Sequence, residues 1–420
     1  MDNRNARIIL ICMEIEHDVL IVGAGLNGPA LALALAGGGL QVALVDSGSL
    51  AVMAEPHFDG RAYALAHSTG RMLQAMGIWE DVQDEAEPIL DIRVSDGRAG
   101  EGASPLFLHF DHREIDEGPM GHLLEDRYLR NALLARVQAE DRITLIPEAE
   151  VADQAVSSGA VSVTLTDGRV LTARLLVGSD GRASSVAARA GIRRTEWDYG
   201  QMSLVAAIAH EKPHHGCAHQ FFMPEGPLAI LPLPGNRSSI VWTERTVQAQ
   251  ACMVLDDQAF LEALRPRFGA HLGEISLAGD RYSYPLGLSL AQSLIAERVA
   301  LTGDAAHGIH PLAGQGLNLG LRDVAALAEV LIEARRRGED IGAKPVLERY
   351  RRWRGFDIAA LAMATDGINR VFSNDNPLMR LGRDLALGAI NAAPTLRRHL
   401  IREAAGLTGD LPRLLQGRPI

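Results

Sequence analysis

Asp18 to Asp46 constrains the chain more than any other stretch. Asp18-Val19-Leu20-Ile21-Val22 is an apolar, β-rich run, followed by Gly23-Ala24-Gly25-Leu26-Asn27-Gly28 and a helix-prone segment through Ala36. Gly37-Gly38-Gly39 then closes the helix, and Gln41 to Val45 forms a second apolar run ending at Asp46. The order is strand, glycine turn, helix, strand and acid. The first glycine makes the turn, the second lets a pyrophosphate approach the backbone, and the third lets helix pack on strand, with the phosphate at the helix N-terminus. Pro29 falls in the first helical turn, where its missing N–H costs little. Asp46 lies 18 positions beyond Gly28, near the spacing of a ribose-binding carboxylate. A lone G-x-G-x-x-G is weak evidence; this sequence of elements around it is strong.

Gly303 to Asp323 repeats the logic. Arg298 to Thr302 suits a short buried strand, and Leu317 to Ile332 has helical apolar spacing. Between them lie Asp304 and a loop with Gly314 and Gly316, where backbone can come close to a ligand. A strand-end carboxylate accepts hydrogen bonds from sugar hydroxyls, and the following helix points free N–H groups and a positive dipole end at something electron-rich. Such a site suits a flavin; an ordinary strand-turn-helix is the plain alternative.

A third strand-end acid, Asp180, follows a hairpin in which Val161 to Leu165 alternates, Asp167-Gly168 turns and Arg169 to Val177 returns. It is expected to serve a cofactor or cosubstrate. Arg61 could sit over a phosphate or flavin edge. Arg127, on the amphipathic segment Glu125 to Leu134, has the charge to reach an anionic cofactor, although pattern alone favours an exposed arginine.

Residues 200 to 290 change character: short apolar segments at 202–209, 220–223, 228–233 and 238–243, separated by proline and glycine turns, predict an antiparallel sheet walling a substrate pocket. His214, His215 and His219 sit in what looks like a polar, solvated loop without a carboxylate cluster, so no metal is expected. Residues 347–372 and 377–404 look helical. The segment from Asn376 carries seven Arg/Lys against three Asp/Glu, and Arg380, Arg383, Arg397, Arg398 and Arg402 accompany aliphatic residues there. That composition could bind an anionic membrane surface or a partner, or pack as a basic helix on its own domain.

A formal net charge of −11 over 420 residues, with no strong basic run along most of the chain, argues against nucleic acid. Cys12, Cys217 and Cys252 lack paired spacing, which suits a reducing cytosol. The apolar run Ile8 to Cys12 is too short for a signal-peptide core or a span, and Met13 is a plausible alternative start. The expected organisation is an extension over 1–16, a nucleotide-binding domain over 17–200 resumed at 291–345, a sheet insertion over 201–290 and a helical region over 346–420.

Together these blocks resemble the group A flavin monooxygenases, most closely the UbiH/UbiF/COQ-type hydroxylases of ubiquinone biosynthesis. The family signature is His-Pro, an aliphatic residue, Ala or Gly, then Gly-Gln-Gly-x-Asn-x-Gly-x-x-Asp. His310-Pro311-Leu312-Ala313-Gly314-Gln315-Gly316-Leu317-Asn318-Leu319-Gly320-Leu321-Arg322-Asp323 meets every fixed position. The likeness continues through Asp366-Gly367-Ile368-Asn369-Arg370 and Phe372 to Asn376.

The resemblance implies an α/β fold: a Rossmann-like FAD-binding domain of the aromatic hydroxylase type, an antiparallel-sheet substrate domain and C-terminal helices. It places FAD on Gly23, Gly25, Gly28 and Asp46 at the ADP half, and on Asp304 at the ribityl and pyrophosphate. Gly303, Pro311, Gly314, Gly316 and Asn318 join this set, Arg61 and Arg127 match positions near the cofactor, and the Asp180-Gly181 region serves FAD and NAD(P)H. No second dinucleotide fold is present, so NAD(P)H would dock transiently.

The implied reaction is hydroxylation of a polyprenylated phenol by O2 through a flavin C4a-hydroperoxide. The implied setting is the cytoplasm with peripheral contact to the inner membrane or to other ubiquinone-biosynthesis proteins. A polyprenyl reductase or epoxidase and a non-catalytic flavin-binding subunit are the rival readings. The motifs name no catalytic base; His307 and His310 are expected to stabilise the turn.

Overall fold

The computed structural model describes residues 15–58, 60–100, 102–310, 314–372 and 376–420. Outside them fall most of the 1–16 extension with its short apolar run, Pro311, and Ser373, Asn374 and Asp375 of the C-terminal motif.

The strand His17–Val22 is apolar because parallel neighbours flank it on both sides, Val170–Gly178 and Val42–Val45, and helices cover the sheet. The sheet runs Ile295–Ala296, Val299–Leu301, Val170–Gly178, His17–Val22, Val42–Val45, Ile143–Ile146. Its pairings are parallel from Val299–Leu301 onward. The anticipated hairpin forms: Val161–Leu165 pairs antiparallel with Val170–Gly178, and Gly168 at the turn has φ +89°. Helices Asn27–Gly37 and Gln315–Arg336 bury most of their residues against this sheet. A Cβ on Gly320 would lie 2.6 Å from Asn27 Nδ2, so the two helices meet closely at their N-terminal ends.

A nine-stranded sheet stands beside it, in the order His307–Gly308, Tyr282–Ala291, Arg194–His210, Arg237–Arg245, Leu228–Leu233, Cys217–Phe222, Asp91–Arg98, Gly102–Asp111. Ile275–Leu277 pairs with Arg194–His210. The sheet therefore draws on strands from before residue 200 as well as on the 201–290 segment. Its pairings are antiparallel except that Cys217–Phe222 runs parallel to Asp91–Arg98. One face packs Trp242, Ile230 and Leu204 against Phe260, Leu264 and Phe268 of the helix Asp257–Phe268. The other face looks toward the helices Lys344–Phe372, Pro377–Asn391 and Pro394–Ala404. The helical run expected over 377–404 is two helices, because Pro394 cannot continue the first.

One sequence reading changes in part, and for two C-terminal arginines the packed alternative holds. His214 is buried, with Nε2 2.9 Å from the carbonyl oxygens of Leu233 and Gly235, and His219 lies in a sheet strand, so of the three histidines only His215 stands exposed in a loop. In the basic C-terminal segment, Arg383 is buried and donates to Asp96 Oδ2 from Nε (3.0 Å) and Nη2 (2.7 Å), while Arg397 grips Glu114. These cations tie the helical layer to the sheet instead of facing outward. No helix among the described residues is long and apolar enough to cross a membrane.

Candidate active site

The first glycine turn divides its labour. Gly23 has φ +108°, and a Cβ there would sit 2.3 Å from the Ser179 carbonyl oxygen; one on Gly28 would sit 1.9 Å from the Gly23 carbonyl oxygen. Both are glycine because the protein itself crowds them. A Cβ on Gly25 would meet nothing within 4 Å, because that position opens into a cavity. Asp46 stands on the same wall, its Oδ2 accepting the Ala24 N–H at 2.5 Å and its Oδ1 the Gly48 N–H at 2.7 Å. Asn27, in the first turn of the helix, carries a buried Oδ1 without a hydrogen-bond partner.

The second strand end is built alike. Val299–Leu301 leads into the turn Gly303–Ala305. Gly303 has φ +60°, and a Cβ would collide with Asn27 Nδ2 at 2.1 Å, so this glycine packs the turn and does not face the cavity. Asp304 does face it, with Arg182 Nε 3.3 Å from its Oδ2. Arg194 holds the turn, donating to the carbonyls of Asp304 and Ala305 and to Ser289 Oγ.

Gly314 caps the helix Gln315–Arg336 in the left-handed conformation (φ 63°, ψ 25°), and a Cβ on Gly316 would meet nothing within 4 Å. Both line the cavity, so the free N–H groups of a long helix open toward it. Asn318 does not. Its Oδ1 accepts from Ala66 N and Thr69 Oγ1, and its Nδ2 donates to the carbonyls of Ala64 and Gly314, which uses its full capacity to staple the strand Ala62–Ala66 to the helix.

Asp323 explains the acid that ends the signature. It is fully buried, accepting from His307 Nε2 at 2.5 Å, Arg354 Nε at 2.8 Å and the Gly303 N–H at 3.2 Å. Burial alone would raise its pKa, but His307 and Arg354 overrule burial and hold it below the usual carboxylate value. His307 is thus a turn-stabilising histidine. His310 is not: buried, with neither ring nitrogen hydrogen-bonded, it packs edge-on to Tyr199, and burial with the nearby Arg182 charge lowers its pKa to about 4. Neither histidine lines the cavity.

Among the arginines, Arg61 lies on the cavity wall with Nη2 3.4 Å from Asp126 Oδ2. On the helix Asp126–Ala139 it is Arg130 that reaches the wall; its Nη2 is 2.9 Å from Asp126 Oδ2 and its buried Nε has no partner. Arg127 points elsewhere, bonding Glu125, the Pro56 carbonyl and the Tyr128 hydroxyl. Asp180 is also turned away: it accepts from the N–H groups of Ser185 and Val186 and from the hydroxyls of Ser184 and Ser185, leaving Ser179, Gly181 and Arg182 on the wall.

Thus Gly25, Asp46, Arg61, Asp304, Gly314 and Gly316 converge on one cavity. Gly23, Gly28 and Gly303 shape its turns, Asn318 braces its helix, Arg127 and Asp180 stand off it, and Pro311 lies outside the described residues. Arg130 went unrecognised in the sequence, although its i,i+4 spacing from Asp126 was visible.

The cavity has a volume of about 910 Å³. One end is the polar wall just described; the other is apolar, walled by the nine-stranded sheet and by Ile368, Phe372, Leu387 and Leu400 of the C-terminal helices. Orphaned Asn27 Oδ1 and Arg130 Nε, two helix N-termini and the open space at Gly25 and Gly316 fit a dinucleotide with an anionic middle.

A family model for the FAD binding domain matches residues 16–355. The ubiquinone hydroxylase UbiL of Rhodospirillum rubrum is 44% identical over 406 residues, covering 96% of this chain and 93% of that one. The 3-demethoxyubiquinol 3-hydroxylase of Escherichia coli is 32% identical, covering 93% and 98%. Among solved structures, p-nitrophenol 4-monooxygenase PnpA from Pseudomonas putida DLL-E4 superposes with a TM-score of 0.78 at 19% identity, covering 94% of this chain and 99% of that one, a likeness of fold.

Proposed function

Because the chain belongs to the FAD-dependent hydroxylases of ubiquinone biosynthesis, we propose that this cavity seats FAD along the polar wall and the ring of a polyprenylated phenol against the apolar sheet. The protein is an FAD-dependent monooxygenase of aromatic rings, and the observation that carries the arrangement is the continuity of polar and apolar walls in one cavity. Reduced FAD, when bound, supplies the O2 chemistry, with NAD(P)H the electron donor usual in the family. The chain's own residues supply the setting. The N-terminus of Asn27–Gly37 and the open face of Gly25 receive the pyrophosphate, and Asp46 accepts from ribose hydroxyls. Arg61 and Arg130 counter the anionic charge, and the N-terminus of Gln315–Arg336 favours electron density on the reduced ring. The apolar walls exclude water from the reacting ring.

The test is product analysis with a prenylated phenol, FAD, NAD(P)H and O2. Oxygen uptake should be matched by hydroxylation of the ring. A saturated tail or an epoxide would instead establish a reductase or epoxidase.

The arginine assignment carries its own prediction. A lost hydrogen bond between charged groups costs about 1.5–3 kcal/mol, so Arg130→Met should weaken FAD binding by roughly tenfold or more. Arg127→Met should change it far less. Equilibrium titration of the apoprotein with FAD checks the pair, and the reverse ranking would reject it.

Peripheral membrane contact is supported by exposed apolar side chains on the helical layer. On Lys344–Phe372, Phe356 and Met363 are 80% and 71% exposed at a spacing that places them on one helix face; Leu381 and Leu385 on Pro377–Asn391 are 57% and 56% exposed. Fully burying such a side chain is worth about 1.5–3 kcal/mol. Replacing Phe356, Met363 and Leu385 with serine should therefore reduce flotation with anionic liposomes by at least about tenfold. Undiminished flotation would rule the surface out.

A further inference from the structure

Where the nine-stranded sheet borders the cavity, its side chains are mostly apolar. Side chains alternate along a strand, and on Cys217–Phe222 the residues Ala218, Gln220 and Phe222 share the cavity face. His219 alternates to the other face, its ring 4.6 Å from that of His271 and 5.6 Å from that of Phe221. The neighbouring strands contribute Ile92, Val94, Phe110, Ala229, Leu231 and Val241 to the same wall. His219 also borders the cavity, but with its ring turned to Phe221 and His271 on the other face, Gln220 is the polar side chain that alternation directs into the cavity from this strand.

No described residue of the wall satisfies it. Its register neighbours are Ala229 on one side and Val94 on the other, which carry no side-chain donor or acceptor. Gln220 makes no side-chain hydrogen bond to any described residue. A primary amide offers two donors and one acceptor oxygen. When an apolar ligand fills the space and displaces water, that amide is left unpaired at a cost, unless the ligand brings a complementary group. The remaining polar cavity residues, such as Asp46, Arg61, Arg130 and Asp304, belong to the nucleotide-binding wall. Two residues further along the strand, the Phe222 ring packs 4.1 Å from that of Phe372, where the helical layer closes over the sheet.

We propose that Gln220 recognises the phenolic oxygen of the substrate, donating from Nε2 to that oxygen and accepting its O–H at Oε1, while the isoprenoid tail runs on past Phe222 and Phe372. The assignment rests on the aromatic-hydroxylase reading, so binding and turnover are measured separately. Holoenzyme is titrated with ortho-geranylphenol and with geranylbenzene, which lacks only the oxygen, following the flavin absorbance; oxygen uptake and product are recorded in parallel.

The wild type should bind the phenol about tenfold more tightly than the hydrocarbon. Gln220→Met, of similar size and shape, should bring the two within about twofold by weakening the phenol and sparing the hydrocarbon. A merely structural role would weaken both alike. An unchanged ratio in Gln220→Met, or no preference in the wild type, overturns the assignment. Gln220→Leu is run beside it, so that a methionine variant unable to retain flavin does not decide the matter. Loss of discrimination in the variants without any ring hydroxylation by the wild type would support Gln220 as the oxygen contact and overturn the hydroxylase reading instead.

Discussion

Gly25→Val should yield a folded protein that cannot retain FAD. A Cβ at this position would meet no protein atom within 4 Å, and the position opens into the cavity, so the substitution should be accommodated without disturbing the turn. The same space is where a pyrophosphate would approach the helix N-terminus. Two hydrogen bonds to a charged group are together worth about 3–6 kcal/mol, so the Kd for FAD should rise by at least roughly a hundredfold. The flavin-to-protein ratio after purification and an unchanged apoprotein thermal transition are the two readings. Gly28→Ala is the contrasting case: its Cβ would sit 1.9 Å from the Gly23 carbonyl oxygen, so it should lower apoprotein stability as well. Stoichiometric flavin in Gly25→Val would place the pyrophosphate elsewhere.

Asp323→Leu should destabilise the protein by about 3–5 kcal/mol, because it leaves Arg354 buried without its Asp323 carboxylate. Asp357 still accepts from Arg354 Nη1 at 2.6 Å, which keeps the loss from being larger. The double change Asp323→Leu with Arg354→Met should recover part of the loss, since removing both charges also removes the desolvation they suffer. Denaturant midpoints of the flavin-free proteins separate these cases from an effect on cofactor affinity. A single variant within about 1 kcal/mol of wild type would mean that Asp323 is not the anchor of this network. The consequence for function is indirect: Asp323 also accepts the Gly303 N–H, and Gly303 opens the turn that carries Asp304 to the cavity.

The first strand, its glycine turn and Asp46 were legible in the sequence because their chemistry is local. A parallel strand covered on both faces must be apolar throughout. A turn that needs φ > 0, or one that another backbone crowds, needs glycine. The hairpin at Asp167-Gly168, the short apolar strands between 200 and 245, and the long helix after Gly314 followed from alternation, turn residues and helical spacing in the same way. Recognition of the 310–323 signature then identified the cofactor and the reaction class together.

Other assignments depended on what neighbours do. Arg127 and Arg130 lie on one helix with equal charge, and only the phase of that helix against Arg61 and Asp126 sends Arg130 to the cavity. Asp180 ends a strand as Asp46 does, yet the helix starting at Ser185 begins close enough to take its carboxylate. Asn318 and Asp323 sit in a signature that suggests cofactor contact, but their partners are the strand and the helix that brace it. Arg383 looked like part of a basic surface until Asp96, almost three hundred residues earlier, closed on it.

The sequence by itself determined the nucleotide-binding turns, the order of strands and helices, and the flavin chemistry, because each is written in residues adjacent along the chain. Tertiary structure decided which side chains face the cavity, including the amide of Gln220 on a mostly apolar wall. Strand register and helix phase are set by packing between distant segments, and the facing of a side chain follows from them.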